Sequence, residues 1–128
     1  MNAPGIAAEA TSSGLDARLA SALAYLAGWV TGVLFLTIER RHAGVRFHAA
    51  QAVVVFGGLS AVMALTYLAA LAGALVSGTA FWLLLAVTNL AWLAGAVLWA
   101  WLLLKAGRGE VWRVPGTTRL VDRLAALP

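Results

Sequence analysis

Long apolar runs alternate with short polar connections along the chain. Residues 19–38, 49–76 and 80–104 contain no acidic, basic or histidine residue. At about 1.5 Å of rise per helical residue, each run is long enough to cross a hydrocarbon core of roughly 30 Å. The pattern predicts an all-α membrane protein with three transmembrane helices, about 19–38, 49–76 and 80–104, forming one domain over 19–104. Residues 1–18 carry no apolar period and predict a disordered tail. Residues 105–128 predict a basic cytoplasmic tail in which Leu120, Val121, Leu124 and Leu127 share one face of a short amphipathic helix starting near Thr118. Only Ser77, Gly78 and Thr79 separate the second and third runs, so those two spans form a tight antiparallel hairpin.

Charge then sets an orientation. With three crossings, Arg18 alone lies on one face, and the other eight of the nine Lys and Arg residues lie on the opposite one. The positive-inside rule places the carboxy terminus in the cytoplasm and the amino terminus outside the inner membrane. The basic cluster follows the first run, which is therefore expected to be retained as a span and not cleaved as a signal peptide. A net charge of +4 is explained by this distribution and does not call for nucleic acid.

Composition removes several chemistries. Hydrophobic residues make up 62% of the chain and the mean hydropathy is +0.89. Zero cysteines exclude disulfides, thiolate metal sites and cysteine nucleophiles. No nucleophile elbow, phosphate-binding loop or pair of buried carboxylates is present, so no enzyme and no cofactor are expected. Glu39, His42 and His48 are the candidate metal ligands; the histidines are six apart across a Gly, which does not suit a helical pair, and no metal is expected.

Small residues at four-residue spacing mark candidate helix-packing grooves: Ala24, Gly28 and Gly32 in the first run and Gly95 with Ala91 in the third. Asn89, an amide near the middle of the third run, is expected to hydrogen-bond a neighbouring helix. The richest polar segment is residues 39–51. Arg46 there is expected to face lipid headgroups, while His48 and Gln51, three apart, share a helix face. Arg40, Arg41, Arg46, His48, Gln51 and Arg113 are the candidate contacts with anionic lipid or a protein partner.

These residues carry a family resemblance. Leu23-Ala24-Tyr25-Leu26 with Gly28 and Gly32, then Glu39, Val45-Arg46-Phe47-His48-Ala49 with Gln51, Lys105-Ala106 with Gly109, and Val114-Pro115-Gly116 resemble the small uncharacterised three-span membrane proteins of bacteria and archaea. That family is grouped with the twenty-kilodalton component of the chloroplast inner-envelope import translocon. The resemblance covers roughly residues 20–125 and implies that Arg46, His48 and Gln51 are its shared feature. The plastid component has four spans and works in protein translocation. This chain has no fourth apolar run, and Ala52 stands where many relatives have Ser. The expected role is a non-enzymatic accessory or scaffold subunit that binds a membrane partner or a second copy of itself. The alternatives are a homo-oligomeric channel or translocation-related pore and, more weakly, a holin-like lesion former.

Overall fold

The computed structural model describes residues 11–127, and the first ten residues of the expected disordered tail lie outside them. Among the described residues there are five helices and no strand: α1 (Ala17–Leu26), α2 (Trp29–Ile38), α3 (Ala43–Gly73), α4 (Gly78–Gly107) and α5 (Thr118–Ala125).

The α3/α4 hairpin forms as the apolar pattern predicts. The His42 side chain accepts a hydrogen bond from Val45 N at the start of α3, and Ser77 Oγ accepts one from Ala80 N at the start of α4. Each thereby satisfies one of the free backbone donors of a first helical turn. Gly95 lies so close to Leu59 that a Cβ there would overlap its side chain, and Thr88 Oγ1 donates to Thr66 Oγ1 across the pair at 2.8 Å. Close backbone approach and interhelical hydrogen bonds are what hold helices together where lipid is as apolar as their side chains.

The first apolar run does not cross. It breaks at Gly28, whose φ of 62° and ψ of −127° are those of the first central position of a type II′ turn, with Val30 N reaching back to Ala27 O. The two halves fold back on one another, so Ala17, Ala20 and Ala24 of α1 share a cluster with Phe35 of α2 and with Val45 and Ala49 of α3. Ser12 N donates to both carboxylate oxygens of Glu39 at 2.9 and 2.8 Å, and Arg40 N donates to Ser12 Oγ at 3.0 Å. One straight helix over residues 19–38 would hold its two ends about 30 Å apart. Among the described residues only α3 and α4 are therefore long and apolar enough to span a membrane, and the three-span expectation is corrected to two long helices plus a short helical hairpin.

A turn at membrane depth must satisfy its own backbone. Thr31 Oγ1 accepts from Ala27 N and donates to Ala24 O, both at 3.0 Å. Trp99 Nε1, from α4, bridges Tyr25 O and Leu26 O at 2.8 and 3.2 Å. The turn packs on the middle of α3, where Gly28 faces Phe56 and Gly57 faces Trp29. Arg18, at the start of α1, lies against Gly109, just past the end of α4. The described amino-terminal residues therefore sit at the same end of the bundle as Glu39 and the carboxy-terminal segment. The expectation that the amino terminus lies across the membrane from these groups is overturned with the third span.

Candidate functional site

Buried polar side chains gather at this shared end. α1 supplies Tyr25, α3 supplies Arg46, His48 and Gln51, and the connection between α2 and α3 supplies Glu39 and His42; all are buried. Three hydrogen-bonded groups organise them.

Gln51 ties α3 to α1 and to the segment after α4. Its Nε2 donates to Tyr25 Oη and Trp112 O, both at 2.9 Å, and its Oε1 accepts from Val114 N at 3.0 Å. Two donors and one acceptor are thus used, and the amide orientation is fixed by its backbone partners. Because Tyr25 Oη accepts from Gln51, its single proton goes to His48 Nδ1, 3.0 Å away. A neutral His48 then carries its own proton on Nε2, which is buried with no hydrogen-bond partner among the described residues.

Arg46 ties two helix ends together. Its Nη1 donates to Leu36 O and Glu39 O, at 3.0 and 2.6 Å, its Nε to Ala125 O at 2.8 Å and its Nη2 to Leu127 O. One guanidinium thereby satisfies carbonyls at the C-terminal ends of both α2 and α5, where positive charge is also favoured by the helix dipole. The fork geometry of Arg, which Lys lacks, makes this possible. α5 is seated by the same contacts, with Val121 buried against Phe47 and Ala50.

Glu39 organises the turn between α2 and α3. Its carboxylate accepts from Ser12 N, Arg41 N and His42 N. Burial opposes its ionisation, but these backbone donors outweigh burial and hold its pKa below the ordinary value.

Several expected site residues change role. Arg46, His48 and Gln51 are at most 8% exposed, so their expected contact with lipid or a partner is corrected to internal bracing. Arg40 and Arg41 are exposed and line a cavity of about 650 Å³ beside Arg46 and the end of α5. Arg113 is exposed, paired with Asp122 at 2.9 Å, and its guanidinium stands 4.6 Å above the Phe47 ring. Ala24 lies in the cluster with Phe35, Val45 and Ala49, and Gly32 lies against Ala49, Ala52 and Val53, but the two do not share one helix face, because Gly28 between them is the turn itself. Asn89 is exposed and has no hydrogen-bond partner among the described residues, so the packing contact expected of it within the chain is absent. Tyr25, Trp99 and Thr31 were missed as bracing residues. Tyr25 had one visible signal, a phenol in an otherwise apolar run.

Among the described residues no three His, Cys, Asp or Glu side chains converge as metal ligands. The arrangement joins the amino-terminal segment, the hairpin, α3 and the carboxy-terminal segment into one unit through hydrogen bonds between side chains and backbone.

No solved structure matches the chain. A UPF0132 membrane protein of Methanocaldococcus jannaschii is 36% identical over 105 residues, covering 82% of this chain and 84% of the relative. A second UPF0132 membrane protein of that archaeon is 29% identical over 110 residues, covering 86% and 71%. One from Archaeoglobus fulgidus is 34% identical over 93 residues, covering 73% and 84%. These relatives are named as membrane proteins, in keeping with the two long apolar helices. The family model described as the magnetosome magnetite crystal formation protein family matches residues 12–121, which include Ser12, the hairpin, the whole polar cluster and the buried Val121, and the chain belongs to that family together with these archaeal UPF0132 membrane proteins.

Proposed function

We propose that this protein is a non-enzymatic accessory or scaffold protein of the inner membrane that presents one basic face, on the cytoplasmic side, to anionic lipid and to a membrane partner. The supporting observation is the distribution of charge. With the first run folded back, all nine Lys and Arg residues sit at one end of the bundle. That sharpens the asymmetry the positive-inside rule reads, and by that rule the cytoplasmic side is the one favoured for both ends of residues 11–127. Basic residues beside a membrane attract anionic headgroups by about 1 kcal/mol each. Arg40 and Arg41 are the side chains for this role, since Arg46 is consumed internally.

The family description names magnetite crystal formation. In this chain, a contribution to a mineral-forming compartment would run through the membrane and its partners, by way of the exposed basic face. The family model and the archaeal relatives lend no support to the resemblance to the plastid translocon component, and this reading does not use it. Self-association is a second reading favoured by Asn89, an exposed amide that can donate to and accept from its counterpart in another copy. It is the route by which a homo-oligomeric pore would arise.

The test is native mass spectrometry of the protein gently extracted from its membranes, beside an R40E/R41E variant. Retained anionic lipid or a stoichiometric partner that is lost in the variant supports the proposal. Unchanged lipid and partner retention would refute the basic-face role. A defined homo-oligomer, indifferent to the variant, would favour the second reading and make conductance the next measurement.

A further inference from the structure

The helical hairpin and α5 give the molecule a different cross-section at its two ends. α1 and α2 are ten residues each, about 15 Å long, or half of a hydrocarbon core of roughly 30 Å. They run along the bundle and not across it: Arg18 lies by Gly109, and Tyr25 O is reached by Trp99, so α1 is antiparallel to α4. α2 is antiparallel to α3, with Trp29 beside Gly57 and Gly32 beside Ala49. The turn packs on Phe56 and Gly57, and residues 58–73 of α3 continue for about 24 Å beyond them.

The basic half of the molecule therefore contains four helices side by side, with α5 seated on Phe47 and Ala50 at its edge. Among the described residues the far half contains only α3 and α4, which there touch each other at Thr66 and Thr88 and at Gly73 and Leu84. Its surface is exposed and apolar, as at Leu65, Leu68, Leu83 and Leu90. With a helix diameter of about 10 Å, two extra helices add roughly 160 Å² to one leaflet and nothing to the other.

We infer that the protein is a membrane wedge, which concentrates in and stabilises bilayers curved with the basic-face leaflet on the convex side. A body wider in one leaflet relieves the packing defects of that leaflet when it is stretched, and worsens them when it is compressed. Leu120 and Leu127 on and just beyond α5, both exposed, add a shallow apolar insertion at the same surface. The ligand of this surface is thus the shape of a lipid bilayer. This depends only on the hairpin's place in one leaflet, not on the accessory role or its partner.

The test is reconstitution of the full chain into giant vesicles of phosphatidylcholine and phosphatidylglycerol, carrying a dye on a Ser13→Cys variant of this cysteine-free protein. A membrane-impermeant quencher separates molecules with the basic face outward from those with it inward. A narrow tube is then pulled from the vesicle. Molecules with the basic face outward should be enriched on the tube by about twofold or more, and those facing inward depleted, also in phosphatidylcholine alone. Equal densities, or enrichment of the inward-facing population, would overturn the inference. A Leu120→Ser variant keeps the hairpin and should retain most of the enrichment; complete loss would overturn the hairpin's role by assigning the effect to α5. Labelling of Ser13→Cys from the same side as Ser77→Cys would overturn the one-leaflet placement directly, while Arg40, Arg41 and every other basic residue except Arg18 would still share one face.

Discussion

Replacing Gly28 by Ala tests the turn on which the topology depends. At φ 62° and ψ −127°, an L-residue sits in a region essentially confined to glycine, and holding it there costs about 1–3 kcal/mol. A Cβ at this position meets Phe56 Cβ at 3.4 Å, an ordinary contact, so the penalty is conformational and not steric. Gly58 is the internal control. It lies within α3 with nothing within 4 Å of its missing Cβ, and Gly58→Ala should stabilise by about 1 kcal/mol through helix propensity alone. The two variants should therefore differ by roughly 2–4 kcal/mol, with opposite signs relative to the parent. Thermal unfolding in detergent, followed by the fluorescence of the six Trp residues, measures this. If residues 19–38 were one continuous span, Gly28→Ala would stabilise as Gly58→Ala does, and that result would refute the hairpin.

Arg46→Lys keeps the charge but loses the fork, and with at least two of its four carbonyl bonds gone it should destabilise by about 2–4 kcal/mol. Faster tryptic cleavage after Arg119 and Arg123 would report the release of α5, and unchanged cleavage would contradict the bracing role. For Glu39, the folded pKa lies below its ordinary value of 4.5, so its stabilisation is fully present above that pH and lost as pH falls through the folded value. Acid should therefore lower the melting temperature of the parent more than that of Glu39→Gln. Equal acid sensitivity would remove Glu39 from the stabilising network.

The two long helices could be read from the sequence because their cause is local: α3 and α4 follow from uncharged apolar runs matched to a bilayer, although the connection is residues 74–77, and Gly78 and Thr79 already belong to α4, which Ser77 caps. The start of α5 at Thr118 likewise follows from the spacing of its apolar residues. The fate of the first run could not be read in that way. Twenty apolar residues suit either one crossing or two half-crossings. The choice falls to Gly28 in its left-handed conformation, to Thr31 and Trp99 satisfying the turn's backbone, and to Glu39 binding Ser12 from 27 residues away.

The same division holds for the polar block. The sequence determined that Arg46, His48 and Gln51 form a distinctive group and that His48 and Gln51 share a face. Only the tertiary structure decided that the group points inward, because its partners, Tyr25, the carbonyls of Leu36, Ala125 and Leu127, and the backbone at Trp112 and Val114, come from four other parts of the chain: α1, α2, the segment after α4 and the end of α5. Apolar periodicity records what each residue contributes to its own helix. Hydrogen bonds between distant segments have no period, and here they determined both the direction of the chain and the burial of its most polar residues.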